Sequence, residues 1–213
     1  MPQVFGIDVA EVVGTQDTLR QWRKPPSRFV ADKVIDHVDD LSRRFIAAAS
    51  MVVLGTRRVD GGLDQTPRGD PAGFVRVLSD TVIALPDRLG NNRADAFENI
   101  LRDPGVGLLF IIPGHPETLR LSGRARIVRD PDLLASMTVQ GHEPDLAILI
   151  AIDRVLSHCP KAFVRAGLWA PENWPDRGDV PSAGTFLKAH GALPDPVEDL
   201  DAIVVRDGQT RLY

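Results

Sequence analysis

The middle of the chain alternates short apolar runs with polar breaks, which is typical of antiparallel strands joined by tight turns. Residues 119–127 alternate apolar side chains with arginines and a serine, a period of two that predicts a strand with one wet or ligand-facing side. Apolar runs at 51–56, 81–85 and 106–112 predict further strands, and the unbroken run at 106–112 predicts burial on both faces. Asp60-Gly61-Gly62 predicts a hairpin turn after the first of these runs.

Apolar residues at spacings of three and four predict helices on either side of several of these strands. The longest such pattern covers residues 32–49, and another covers residues 94–102. Residues 145–157 are ambiguous, since their composition suits a strand and their length suits a helix. Residues 160–168 predict a helix with proline in its first turn. After Trp169 the chain is rich in Pro, Asp and Gly, so we expect a linker followed by short helices.

The composition narrows the class of protein. A chain of 213 residues with 43% apolar and 25% charged residues is typical of one globular domain with terminal additions. The net charge of −4 argues against a general nucleic-acid binder. The single cysteine, Cys159, allows no internal disulfide and suits a reducing compartment. No signal-peptide pattern opens the chain, and the purest apolar run, residues 146–152, is too short to cross a bilayer. We therefore expect a soluble cytoplasmic protein that does not bind membranes.

Two loops combine arginines with residues that suit an anion site. The segment Pro86-Asp87-Arg88-Leu89-Gly90-Asn91-Asn92-Arg93 joins a predicted strand to a predicted helix, and Thr66-Pro67-Arg68-Gly69-Asp70-Pro71 follows a predicted hairpin. Backbone N–H groups at a helix start favour an anion, and arginine clamps phosphate through paired hydrogen bonds. The two loops therefore predict a phosphate cradle. The same residues also fit an ordinary polar turn and a surface pair between Arg68 and Asp70.

Other kinds of site have little support in the sequence. The five histidines are scattered without the spacing of metal ligands, and there is no Gly-x-Ser-x-Gly elbow for a nucleophilic serine. His158 and Cys159 are adjacent, and a buried or incidental cysteine is the simpler interpretation. Lys161 and Arg165 recur at helical spacing with Trp169, so one helix face would carry two cations and an aromatic ring. We expect no metal site, and no residue stands out as a catalytic acid or base.

The two arginine loops, taken with four further motifs in order along the chain, carry a family resemblance. The motifs are Thr66-Pro-Arg-Gly-Asp-Pro, Leu85-Pro-Asp-Arg-Leu-Gly-Asn-Asn-Arg, Asn99-Ile-Leu, Pro104, Val106-Gly-Leu-Leu-Phe and Glu117-Thr-Leu-Arg-Leu-Ser-Gly-Arg-Ala. Together they resemble the pyridoxamine 5′-phosphate oxidase-like, FMN-binding split-barrel flavoproteins, and most closely an actinobacterial-type subfamily with both loops.

The resemblance implies a fold and an assembly. The fold is mainly β with flanking helices (α+β), a six-stranded antiparallel split β-barrel of the FMN-binding type. It would occupy residues 31–169, with 1–30 as an N-terminal extension and 170–213 as a C-terminal linker with short helices. Residues 145–157 would then form a barrel strand. The resemblance also implies a homodimer that holds FMN at the subunit interface.

The resemblance assigns roles to particular residues. Arg68, Asn91, Asn92 and Arg93 would hold the phosphate, while Asp70, Pro86, Asp87 and Arg88 would shape the loops around phosphate and ribityl chain. Thr66 would be a further cofactor-binding residue. Thr118 stands where the wider family has a glutamine that contacts the flavin ring, so its contact is carried over only weakly. Lys161, from the partner subunit, would lie near the flavin ring and stabilise its reduced anion.

The expected function is that of an FMN-dependent oxidoreductase with a small-molecule substrate, in which the flavin performs the hydride chemistry. The substrate-binding arginines of the oxidase itself have no clear match near the end of this chain, so oxidation of pyridoxamine phosphate is not implied. Three alternatives remain open at this point. The protein could store or sense flavin without turnover, use the deazaflavin F420, or be a non-flavin module that grips another phosphate.

Overall fold

The computed structural model describes all residues from 1 to 213, which form two compact units, Met1–Val34 and Ile35–Tyr213. The first unit contains a two-stranded hairpin, β1 (Gln3–Val4) and β2 (Ile7–Asp8), and two helices, α1 (Gln16–Trp22) and α2 (Arg28–Ala31). Helix α1 begins where the Thr15 side chain accepts a hydrogen bond from the backbone N–H of Thr18, at 3.1 Å. Neither helix of this unit contains a buried residue.

The second unit is built on one sheet of seven antiparallel strands, and the order across the sheet is β4-β3-β7-β8-β9-β6-β5. The strands are β3 (Met51–Arg57), β4 (Leu63–Gly69), β5 (Arg76–Val77), β6 (Val82–Pro86), β7 (Gly105–Ile111), β8 (Thr118–Val128) and β9 (Ala147–His158). The predicted fold class, mainly β with flanking helices, is confirmed. There are seven strands rather than six because the two-residue strand β5 pairs with β6 at one edge.

The sheet curls strongly without closing. Four strands separate β4 from β6 in the sheet order, yet side chains at their ends meet in two ion pairs, Arg68 with Asp87 at 2.9 Å and Arg88 with Asp70 at 2.6 Å. Strands β4 and β5 remain the two edges, because no backbone ladder joins them. An open, coiled antiparallel sheet of this kind fits a split barrel.

The inner face of the curled sheet holds the main hydrophobic core. Alternate residues of β3, β7 and β8 point inward, so that Leu54, Phe110 and Leu121 are fully buried. The predicted burial of residues 106–112 on both faces is wrong for the single chain. Leu109 and Ile111 remain partly exposed on the outer face, because both helices whose residues join this core pack on the inner side.

The second unit contains six helices: α3 (Asp40–Ala48), α4 (Asp95–Arg102), α5 (Pro131–Ser136), α6 (Lys161–Ala166), α7 (Ala183–Gly191) and α8 (Val197–Thr210). Helix α3 begins eight residues later than predicted. The Asp39 carboxylate caps it by accepting from the Ser42 N–H at 2.8 Å, and upstream Ile35 pairs with Val155 of β9 instead of turning helically. The ambiguous segment 145–157 forms strand β9 from Ala147 onward, and short 3₁₀ turns occupy much of the predicted linker.

None of the helices has the length and apolar character that crossing a bilayer requires. Histidine, cysteine and carboxylate side chains do not gather anywhere in groups of three or more that could hold a metal ion.

Candidate functional site

A cleft of about 800 Å³ lies where the end of β4 meets the loop that follows β6. Its other walls are the start of α4, the loop before β9 and the side chain of Tyr213. The lining residues are Thr66, Pro67, Arg68, Gly69, Asp87, Arg88, Leu89, Gly90, Asn91, Asn92, Ala94, Phe97, His142, Glu143, Pro144, Asp145, Leu146 and Tyr213.

Arg68 lines this cleft and has one donor nitrogen, Nε, from which no protein group accepts. Its Nη1 donates to Asp87 Oδ1 at 2.9 Å, and its guanidinium lies 5.6 Å from the centroid of the Phe97 ring. Its Nε is buried and has no hydrogen-bond partner. A buried donor without a partner is costly, so an anion that accepted from this nitrogen would relieve the cost. The residue therefore fits a phosphate group.

Asp87 balances the charge of Arg68. Burial raises the pKa of the Asp87 carboxyl above its usual value, although the neighbouring Arg68 acts in the opposite direction. The side chain is 28% exposed. The carboxylate is thus held in a setting that disfavours its charge, and an incoming phosphate would compete with it for Arg68.

Arg88 is held by neighbours on several sides. Its Nε pairs with Asp70 Oδ2 at 2.6 Å, and its Nη2 donates to the carbonyl oxygen of Met137 at 2.7 Å. The Tyr213 hydroxyl donates to the other carboxylate oxygen of Asp70 at 2.7 Å. The Asp70 side chain has no exposed surface. This cluster fixes the position of Arg88 in the cleft wall.

The loop between β6 and α4 leaves a helix start open. Ala94 occupies the N-cap position of α4 with a left-handed φ of 56°, and no side chain caps the helix. Asn92 is also left-handed, with φ of 59°, which asparagine tolerates. The first N–H groups of α4 therefore lack the side-chain acceptor found at most helix starts, and Ala94 and Phe97 place them beside the cleft. This arrangement suits an anion.

The structure brings together most of the predicted phosphate residues. Thr66, Arg68, Asp87, Arg88, Asn91 and Asn92 line the cleft, and Asp70 lies behind Arg88. Pro86 is buried at the end of β6, opposite Ala147. Arg93 lies outside the lining: it pairs with Asp95 at 2.7 Å, and its side chain is 71% exposed.

Thr118 and Lys161 lie elsewhere on the chain. Thr118 is buried at the start of β8, opposite His158 at the end of β9. Lys161 is exposed at the start of α6, just after that strand. The cleft borders Leu146, which precedes the other end of the twelve-residue strand β9. Neither residue lines the cleft of its own chain.

Several lining residues were not predicted. Phe97 lies in the helix predicted at residues 94–102 but was given no binding role, and no role was predicted for the segment from His142 to Pro144. Tyr213 contacts Asp70 across 143 positions of sequence. A contact of that span leaves no local pattern, whereas Phe97 follows the arginine-rich loop so closely that a stacking partner for an arginine was a possible interpretation.

A protein-family model matches the central part of the chain. Residues 38–159, more than half of the chain, match the family model described as pyridoxamine 5′-phosphate oxidase. No curated protein matches the sequence.

Solved structures show weaker similarity. HupZ from Group A Streptococcus is 13% identical, with 56% of this chain and 93% of that one covered and a TM-score of 0.46. A putative pyridoxamine 5′-phosphate oxidase from Lactobacillus delbrueckii is 19% identical, with 57% and 99% covered and a TM-score of 0.44. An FMN-binding protein from Syntrophomonas wolfei is 7% identical, with 55% and 88% covered and a TM-score of 0.41. On the family match, this chain belongs to the pyridoxamine 5′-phosphate oxidase family.

Proposed function

We propose that the protein binds FMN in the cleft and acts as a flavin-dependent oxidoreductase on a small-molecule substrate. The observation that carries this proposal is the buried Nε of Arg68, a charged donor without a partner, beside the uncapped start of α4. Family membership supports a flavin as the phosphate ester that this pair of features would bind. The similarity of both loops to an actinobacterial-type subfamily belongs to the same proposal.

Each part of the cleft has a role in this proposal. Arg68, the Asn91 and Asn92 segment and the first N–H groups of α4 hold the phosphate. Arg88 and Asp70 keep the wall rigid, and Thr66, Pro86 and Asp87 shape the loops. Arg93 contributes only if it leaves Asp95. The flavin supplies hydride transfer when bound, and the chain's residues supply binding, orientation and the local electric field.

We also propose that the working form is a homodimer with the cofactor between subunits. The outer face of the sheet carries a strip of neighbouring apolar residues, with Met51 paired to Ile111 and Val53 to Leu109. These side chains are only partly buried in one chain. A second subunit on this face would cover them, and we assign the Lys161 near the flavin ring to the partner subunit, because Lys161 does not line the cleft of its own chain.

Two further assignments follow from the same proposal. The flavin-binding part is residues 31–169, with residues 1–30 and 170–213 as additions to it. We place the protein in the cytoplasm, because its one cysteine is a free and exposed thiol that suits a reducing compartment.

The experiment that tests the proposal is identification of the ligand carried by the purified protein. We expect a yellow protein with the absorbance bands of oxidised flavin, and FMN as the mass released on denaturation. A deazaflavin in place of FMN would reassign the cofactor. A colourless protein that fails to take up added FMN would overturn flavin binding. Reduction by NADH or NADPH at a useful rate then separates an oxidoreductase from a flavin-storing protein.

A further inference from the structure

Tyr213, the last residue of the sequence, reaches back into the cleft. Its hydroxyl donates to Asp70 Oδ1 at 2.7 Å. Its ring lies 5.6 Å from the guanidinium carbon of Arg88 and stacks with the His142 ring, with centroids 6.1 Å apart and planes 20° from parallel. One side chain thus joins three segments that are distant in sequence: the end of β4, the loop after β6 and the loop before β9.

We call the segment Arg211–Tyr213 the tail. Its other two residues, Arg211 and Leu212, take no part in these contacts. Arg211 bonds back to α8, with its backbone N–H on the Asp207 carbonyl oxygen and its Nη1 at 3.0 Å from Asp207 Oδ1. Leu212 is 62% exposed. The tail therefore meets the cleft wall through the Tyr213 side chain.

Asp70 explains why this contact has consequences. Its side chain is fully buried, and a buried carboxylate needs hydrogen bonds to both oxygens. Arg88 satisfies Oδ2 and Tyr213 satisfies Oδ1. Removing the tyrosine hydroxyl would leave one oxygen of a buried charge without a protein donor, and Arg88 would lose part of what fixes it.

We propose that Tyr213 is a positioning residue of the ligand site: its phenol fastens the tail to Asp70, and the fastened tail holds Arg88 and His142 in the wall that receives a phosphate ester. The choice of a phosphate ester rests on the proposed function. The attachment of the tail to Asp70, which we call the fastening, rests on the contacts of Tyr213 alone.

The fastening can be tested without any ligand, because Tyr213 is the only tyrosine of the sequence. The hydrogen bond to Asp70 and burial raise the pKa of the Tyr213 phenol, while Arg88 acts in the opposite direction. The other titratable groups near this phenol are His142, which faces the tyrosine ring, and Glu143 and Asp145, which line the same cleft.

Phenolate absorbance would be recorded by stopped flow within milliseconds of a pH jump, so that the fold is retained. We expect the native midpoint to lie above that of the same chain in denaturant. Equal midpoints would overturn the fastening.

The positioning role is tested with Tyr213→Phe, and Leu212→Ala is the matched control in the same tail. We expect the dissociation constant for FMN to rise about tenfold in Tyr213→Phe, which is the scale of one hydrogen bond to a charged group, and to stay unchanged in the control. An unchanged FMN affinity in Tyr213→Phe would overturn the proposal. So would a loss of the same size in Leu212→Ala.

A second comparison shows whether Tyr213 acts through Arg88. In an Arg88→Met background, Tyr213→Phe should cause little further loss of FMN affinity, because the group that it positions is already gone. Fully additive losses would overturn action through Arg88. If the wild-type chain binds no FMN, the proposed function and the ligand part of this inference fail together, and the tyrosine titration still decides the fastening.

Discussion

Arg68 is the residue on which the affinity of the cleft for a phosphate should depend most. Arg68→Met keeps an unbranched stem against Phe97 but removes the guanidinium, including the buried Nε that lacks a partner. We expect the FMN dissociation constant to rise about ten- to a hundredfold, with a smaller change for riboflavin. Fluorescence titration measures both.

Arg93→Ala is the matched control for Arg68→Met. Arg93 is exposed and paired with Asp95, so its removal should weaken FMN binding less than Arg68→Met does. The reverse order of the two effects would show that the phosphate lies on the Arg93 side of the loop.

Asp87 predicts a pH dependence of stability. Because the pKa of the Asp87 carboxyl is raised in the folded chain, its ionised form opposes folding. This cost in folding free energy is absent at pH values below the ordinary carboxyl pKa. It grows as the pH rises through the raised pKa of Asp87 in the folded chain. Asp87→Asn should therefore gain stability relative to the wild type as the pH rises above the ordinary carboxyl pKa of about 4. Denaturant unfolding at several pH values measures this difference, and a constant difference would contradict the assignment.

The sequence pointed to two loops rich in arginine and asparagine, which meet at the cleft, but it did not predict what each of these residues contacts. Both loops were recognised because their residue types suit an anion. Arg93 instead turns to Asp95, two residues along, and Arg68 takes Asp87 from the other loop. Such choices between partners depend on how the sheet curls, which no spacing along the chain specifies. The Tyr213 contact depends on the path of the whole C-terminal segment.

At the scale of the elements, the ladder between β8 and β9 has a position that admits only glycine. The register shifts between Ser122 and Gly123, and a Cβ at Gly123 would overlap the carbonyl oxygen of Ala151. Gly123→Ala should lower the free energy of unfolding by about 1–3 kcal/mol. Denaturant unfolding of Gly107→Ala is the control, because a Cβ there meets no atom within 4 Å. Equal effects of the two substitutions would mean that the close approach at Ala151 is relieved at little cost.

The strands were more predictable than the helix boundaries. Period-two patterning predicted the long strand β8, because one face of it must be buried, and the Asp60-Gly61-Gly62 turn predicted the hairpin of β3 and β4. The pattern at residues 32–49 continued through Ile35 and Val38, whose burial comes from the sheet side rather than from a helix. Apolar periodicity indicates that a residue is buried, but it does not indicate which structural element buries it.

For the whole molecule, the outer face of the sheet predicts association. Leu109 is partly exposed in the middle of the apolar strip, so Leu109→Glu should fold but place a charge in the proposed subunit interface. We expect a dimer for the wild type and a monomer with weakened FMN binding for Leu109→Glu in sedimentation velocity. Val59→Glu, at a position 75% exposed in the β3–β4 turn, is the control and should remain a dimer. A wild-type monomer that holds flavin would refute the interface.

The proposed assembly could not be derived from the patterning of one chain. The unbroken run at residues 106–112 indicated two buried faces, whereas one chain covers only one of them. A surface that a second subunit covers has the same composition as a core, so the sequence signals the burial without naming the partner.

The most direct measurement is a calorimetric titration of the flavin-free protein with FMN and with riboflavin under the same conditions. The two ligands differ only in the phosphate, which is the group that Arg68 and the open start of α4 are proposed to bind. We expect FMN to bind at least about tenfold more tightly, because a charge-assisted hydrogen bond contributes roughly 1.5–3 kcal/mol. Equal dissociation constants, or no binding of either ligand, would contradict the assignment of this cleft as the site of the FMN phosphate.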